Sequence, residues 1–517
     1  MIARAGAFCL VITLGAQVSS PSDAEREFRR GVIALHNFEY EEANSAFLTA
    51  QKRAPNFAMA YWGEAMTYHQ TLWGNEDIAM GRRILLRLAP TPAARAAKAA
   101  TAKEQGLLGA IEILFGDGDS TARRAAYAKA METMHAQMPD DADIAAFYAL
   151  ALLGTMPRGI GEARDAQEGH SHALAGSAVQ SRVTAILERV LRTHPDHPGA
   201  LHYLLHNNDD PEHARIALDA ARRYAQVAPQ SSHALHMPAH IFLQLGLWRD
   251  AALSDRAAFA ASDAWVKAKG LSPAMRNYHA LSWLQYEWLQ RGQYRAAAGT
   301  LGELSGVVKA TRQATLLTDL ASMRARYVIE TRRWDILANE KNFANVNELF
   351  AIGVSAARSG NAAFAETARQ ELAARSQSEQ NADLRPVVGI MERELAAMIA
   401  LAQKRGEQAI ELLRAASDAE RQLPPPIGPA IPIKPASELL GEVLLELARP
   451  REALAAFRQA LQRNANRTLS VLGMARAAKA AGDTTAAREH YRALLESYDE
   501  ADADVPALDE ARAGVGR

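Results

Sequence analysis

Eight of the chain's 15 histidines fall between positions 194 and 240. In the stretch HPDHPGALHYLLH, His202 and His206 stand four apart on a helix predicted to open at Pro198. Their rings share one face, with Cβ atoms ~5–6 Å apart, close enough to chelate one ion. In HALHMPAHIFLQLG, His233, His236 and His240 stand at i, i+3 and i+7, again on one face. The offset from His202 to His236, and from His206 to His240, is 34 residues in both cases. The single cysteine, Cys9, lies in the N-terminal segment. Imidazole with water or carboxylate, without thiolate, suits a catalytic or transport ion of the divalent transition series, Zn, Cu or Fe. Asp209 and Asp210, in the turn after His206, are the nearest carboxylates in sequence, and Asp209 is the better candidate for a ligand or proton mover. Asp210 before Pro211 reads as a helix N-cap, and His194 and His197 as capping residues of a solvated turn. His213 reads as a surface residue.

The elements that must position these rings are helices. Apolar residues recur at three and four, and β-branched alternation is nearly absent. Gly31, Tyr40, Ala43, Phe47, Ala50 and Pro55 place small and aromatic residues where two antiparallel helices would touch. The C-terminal end repeats the pattern in Gly441, Leu444, Ala453, Phe457 and Ala460, and again in Ala475, Ala478, Ala487, Tyr491 and Leu494. This pattern resembles the tetratricopeptide repeat, of period 34. The resemblance implies an all-α, right-handed helical-repeat solenoid whose first helices line a concave groove. It puts His233, His236 and His240 at repeat positions two, five and nine, which point into the groove. Aligning Gly292-Gln293-Tyr294 with Gly246-Leu247-Trp248 places His279 at position two of the following repeat, and Tyr286 opposite His240 as a candidate hydrogen-bond donor or acid. First helices of adjacent repeats pack ~8–10 Å apart. His202, His206, His236 and His240 are therefore expected to face one another in two layers, flanked by His233 and His279. The two histidine-rich stretches, with FEYEEANSAF and AMAYWGEA, are similar to a group of bacterial tetratricopeptide proteins over roughly residues 25–300. That similarity points to where a site is and assigns no activity.

Along the chain, Arg4, the apolar run Ala5 to Ala16 and the small residues Ser19 and Ser20 predict a signal peptide over 1–20 and a periplasmic or secreted mature protein. N-terminal repeats are expected over 21–156, a Gly-rich loop insertion with His170 and His172 over 157–177, and histidine-rich repeats over 178–308. Further repeats follow over 309–423, a Pro-rich linker over 424–436, a C-terminal pair over 437–497, and an acidic tail or capping helix over 498–517. Predicted helices include 94–115, 120–137, 141–154, 176–193, 198–208, 211–227, 232–245, 249–265, 273–291 and 294–306. Tyr61, Trp62, Tyr68, His69 and Trp73 read as core, with the repeat register placing His69 near the groove mouth; Trp283 and Trp288 read either way.

With 58 Lys+Arg against 59 Asp+Glu and no basic block, the chain has no footprint for nucleic acid. No later stretch has the ~18 apolar residues of a membrane span. Neither a P-loop, a G-x-G-x-x-G nor an H-E-x-x-H is present. The expected function is metal-dependent binding or catalysis, hydrolytic or oxidative, on a small-molecule or peptide ligand in the concave groove, with Asp209 or Tyr286 moving protons. The competing expectation is a non-enzymatic scaffold whose histidines tune peptide binding with pH.

Overall fold

Ser22 and Glu25 satisfy each other's backbone N–H groups in a reciprocal cap, and the first helix, Asp23–His36, starts there. The computed structural model describes residues 22–156 and 177–516. The predicted signal peptide, and His170 and His172 of the loop insertion, lie outside the described residues. Among the described residues the architecture is an all-α helical-repeat solenoid. Among the described residues the strands are one short antiparallel pair, His69–Gln70 with Asn75–Glu76.

The repeat packing follows from small residues placed opposite large ones. Phe47, in the helix Tyr40–Arg53, is fully buried between two glycines. A Cβ on Gly31 would stand 2.5 Å from its ring, and one on Gly63 2.3 Å. Phe457 repeats this arrangement between Gly441 and Gly473, where an added Cβ would stand 2.8 and 2.3 Å away. Each phenyl ring thus bridges the first helix of its own repeat and that of the next, a spacing only glycine permits.

Side-chain caps open the helices that matter most for the site. Pro198–Asn207 and Ala214–Val227 form one central pair, Ser232–Gln244 and Trp248–Ala268 the next, and Tyr278–Gln290 and Tyr294–Thr311 a third. The predicted helix 94–115 is two helices, Pro92–Ala96 and Ala102–Leu114, because Thr101 turns its side chain onto the Glu104 N–H and starts a new one. The predicted helix 273–291 likewise begins as the short turn Pro273–Met275 and restarts at Tyr278, capped by Asn277. At the acidic end, Pro506–Val515 is a helix whose Leu508 and Ala511 pack with Tyr491 and Leu494.

The solenoid closes back on its own middle. From the N-terminal side, the turn after Asp23–His36 reaches the central helices: the Tyr224 hydroxyl donates to Asn37 Oδ1 at 2.9 Å. From the C-terminal side, Trp248 Nε1–H donates to the Asn466 carbonyl at 2.9 Å, and the Asp502 N–H to the Gly292 carbonyl at 3.0 Å. The Pro-rich segment is non-helical, as its composition requires. It does not run through solvent as a linker would, for Ile427, Ala430 and Ile433 are buried. One hydrophobic core joins residues from Ala34 to Tyr286 and a second those from Ala325 to Ala477. The histidine helices lie in the first.

Candidate functional site

Three capped helices aim the rings. His197 accepts the Ala200 N–H through Nδ1 at 3.2 Å, with Pro198 behind it, and opens Pro198–Asn207. The capping expectation for His197 is thereby met, but the ring is buried rather than solvated, while His194 ends the preceding helix. Ser231 Oγ accepts from Ala234 and opens Ser232–Gln244; Asn277 Oδ1 accepts from Ala280 and opens Tyr278–Gln290. Pro238 removes one donor from the middle helix, yet the helix continues through it.

Six of the predicted residues come together, as two triads rather than one site of four facing rings. One is His202, His206 and His233; the other is His236, His240 and His279, with the facing nitrogens of each within 4.8 Å of one another. His202 Nε2 lies 3.0 Å from both His206 Nε2 and His233 Nε2. His236 Nε2 lies 3.0 Å from His240 Nε2 and 2.9 Å from His279 Nε2. Two nitrogens bound at ~2.0–2.1 Å to one ion stand ~2.8–3.4 Å apart, so the spacing is that of shared ligands. The second triad is the first advanced by one repeat: positions five and nine of one repeat with position two of the next. His206 and His240 occupy equivalent positions but fall in different groups, and position two of the next helix supplies the third ring of each.

The other ring nitrogens fix the tautomers. His202 Nδ1–H donates to the His36 carbonyl at 2.7 Å, His240 Nδ1–H to Asp209 Oδ2 at 2.6 Å, and His236 Nδ1–H to Asp255 Oδ1. A proton held on Nδ1 leaves a lone pair on Nε2, the arrangement that a carboxylate or carbonyl behind a metal-bound histidine enforces. Burial pushes the His202 imidazole down to about 3, the His36 carbonyl pulling the other way, so the ring is neutral.

Aromatic rings cover both triads. Phe38 lies 4.4 Å from His202 between ring centroids and holds a left-handed φ of 58°. A bulky side chain in that region costs ~1–2 kcal/mol and persists because the N-terminal turn is clamped around it. Trp283 lies 4.9, 4.4 and 5.1 Å from His236, His240 and His279. Gly428 of the Pro-rich segment presses on that indole: a Cβ there would stand 2.2 Å from Trp283 Cζ2, and its φ is +94°. A cleft of about 380 Å³ opens onto His233, His236 and His279 beneath a lip of Glu39, Glu41 and Glu42. Burial pushes the Glu39 carboxyl up, and Glu42 adds to it against a hydrogen bond with Ser231.

Two expected proton movers sit elsewhere. Asp209 stands behind His240, where Gln244 Nε2 donates to its other oxygen at 3.1 Å, so it orients a ring rather than facing the cleft. Tyr286 is turned to the Arg467 guanidinium, which donates to its hydroxyl at 3.2 Å. Burial pushes that phenol up to about 12, with Arg467 drawing it down. Register alone aligned it with His240, and the returning C-terminal repeat supplied the guanidinium.

Asp255 was not singled out by the sequence, although a signal exists. It interrupts the buried stripe of Ala251, Ala258 and Ser262 on its helix, a carboxylate where an apolar residue belongs. Asp210 caps the turn into Ala214–Val227 through the N–H groups of Glu212 and His213, and its carboxylate also pairs with the half-buried His213 ring. His69 is buried beside Thr71 and Glu76, away from the triads.

A third convergence, His36, Asp143 and His197, differs in kind. Because His197 Nδ1 accepts a backbone N–H, its proton is on Nε2, which donates to Asp143 at 3.3 Å. Burial works against the Asp143 carboxylate, but hydrogen bonds from His197 and His36 hold it well below the usual range. The proton on His197 Nε2 occupies the position an ion would need, so this group joins helices.

No family model matches the chain, and no curated protein matches it. Solved structures that it resembles are helical-repeat proteins. A tetratricopeptide repeat protein from Parabacteroides merdae is 12% identical, covering 55% of this chain and 98% of that one, with a TM-score of 0.30. The TPR domain of P58(IPK) is 14% identical over 90% and 99%, with a TM-score of 0.23. The human IFIT1 dimer with m7Gppp-AAAA is 13% identical over 92% and 95%, with a TM-score of 0.36. The repeat architecture rests on the Phe47 and Phe457 packing described above.

Proposed function

We propose that the chain is an exported helical-repeat protein that holds two transition-metal ions, one per triad, with open coordination positions toward the cleft over His233, His236 and His279. The observation that supports this most is the pair His236 and His240. Both rings give their Nδ1 protons to carboxylates, so two Nε2 lone pairs face each other at 3.0 Å. Lone pairs at that distance repel, and a cation between them turns repulsion into coordination. Six imidazoles without thiolate suit Zn, Cu or Fe. Three protein ligands leave positions for water or dioxygen, hence hydrolytic or oxidative chemistry on a small molecule in the cleft.

A non-enzymatic scaffold that reads an extended peptide is the second reading, and the helical-repeat groove suits it. The burial of His202, His206, His236 and His240 favours an enclosed ion over a peptide contact. The periplasmic or secreted location is proposed on the N-terminal sequence pattern, and among the described residues no helix is long and apolar enough to cross a membrane.

Elemental analysis of the mature protein from its native compartment tests the reading. Two equivalents per chain are expected, falling to one in a His236→Ala/His240→Ala variant. Chelator should lower the thermal midpoint, since an ion present at 100 times its Kd stabilises by ~2.7 kcal/mol. A metal-free protein that keeps a peptide partner in chelator would overturn this reading in favour of the scaffold.

A further inference from the structure

The helix Tyr278–Gln290 carries His279, Trp283 and, two turns past the histidine, Glu287. Glu287 and Asp255 are both fully buried. Asp255 Oδ1 accepts from His236. Its Oδ2, and both oxygens of Glu287, receive no N–H or O–H from the described residues. The two carboxyl groups are nevertheless hydrogen-bonding neighbours. Two carboxylates placed so would repel in surroundings that cannot screen them, and buried polar atoms are rarely left unsatisfied. One proton between the groups removes the repulsion and satisfies two of these three oxygens. Asp255 already receives the His236 N–H, so the proton belongs to Glu287. Burial, then the Asp255 charge, push the Glu287 carboxyl well above its usual range, against the pull of Arg291.

The neighbouring ring supplies an internal comparison. Behind His240, Asp209 receives an N–H from the neutral amide of Gln244 at 3.1 Å. Each carboxylate behind the second triad is then steadied from outside by an uncharged donor, an amide in one case and an acid in the other.

Building on the two-ion reading, we infer that Glu287 is a positioning residue of the second triad: as a neutral acid it donates to Asp255 and so fixes the carboxylate that orients His236. Its proton is held in the structure and takes no part in chemistry at the cleft.

The test compares Glu287→Gln with Glu287→Ala by competition titration of Zn, together with infrared spectra. Gln keeps a neutral donor aimed at Asp255, and the second-triad affinity should stay within about threefold of wild type. Ala removes the donor and should weaken that triad by ~10–100-fold while the first triad is unchanged. In the infrared, one component of the protonated-carboxyl band at neutral pH should be missing from Glu287→Gln. An unchanged band, a Gln variant as damaged as Ala, or an Ala variant as sound as Gln would each overturn the inference. If Ala fails to fold, the Gln affinity and the infrared difference decide alone. A wild-type protein that binds no metal yet shows the band difference would sink the two-ion reading and leave the Glu287–Asp255 proton in place.

Discussion

Asp209→Asn removes a charge behind His240 while keeping the shape of the side chain. The direction in which the new amide points is set by its surroundings. Gln244 spends both of its N–H bonds, on Asp209 Oδ1 at 3.1 Å and on the Pro426 carbonyl at 2.9 Å, so it cannot turn to offer an oxygen. The oxygen of the introduced amide must therefore face Gln244, and its NH2 must face His240. Nδ1 of His240, now opposite a donor, becomes the acceptor, and the ring proton moves to Nε2, where it blocks the lone pair shared with His236 and His279. Metal-free protein keeps the same number of hydrogen bonds, so its stability should change by no more than about 1 kcal/mol. Metal affinity at the second triad should fall by ~10–100-fold, or ~1.4–2.7 kcal/mol, towards the upper end because the tautomer must be reversed before the ring can bind. Competition of Zn between the protein and a chromogenic chelator reads both sites, and the first triad should keep its wild-type affinity. Unchanged binding of the second equivalent in Asp209→Asn would refute the tautomer argument, whatever the stability.

Gly473→Ala puts a Cβ 2.3 Å from the Phe457 ring, whose position is fixed between two repeats. Overpacking of this kind should cost ~1–3 kcal/mol, read as a lower urea midpoint with the same slope. His69 makes stability fall in acid: burial first, and Arg124 next, push its imidazole down to about 4 from the ordinary 6.5. Between those values the unfolded chain takes up a proton that the folded chain refuses, so the contribution is complete above pH 6.5 and is lost as pH falls toward 4, by ~3 kcal/mol in all. Urea midpoints at about pH 7 and about pH 4.5 should differ less in His69→Gln than in wild type.

Much of the site was legible along the chain. The 34-residue offsets between His202 and His236, and between His206 and His240, follow from one helix pair repeating, and the structure places these four residues on two adjacent first helices. The caps at His197 and Asp210 were readable because they act within three or four residues. The grouping of the rings was not. A repeat register says which residues are equivalent, and equivalent residues are a helix spacing apart, whereas an ion gathers rings at contact distance. His233 and His279 instead complete the two groups of rings across the repeat boundary.

By its residues alone the chain determined an all-α repeat, the helices that carry histidine, and the inward face on which the rings stand, because helical period, caps and small-against-large pairing are local properties. Tertiary structure alone decided the division into two triads, the carboxylates behind His236 and His240, and the rings that cover them. The His36 carbonyl reaches His202 across 166 positions, and Arg467 reaches Tyr286 across 181. Contacts of that range depend on how far each repeat rotates against the last. That rotation is the sum of many small packing choices, and it brings both ends of the solenoid back onto the histidines.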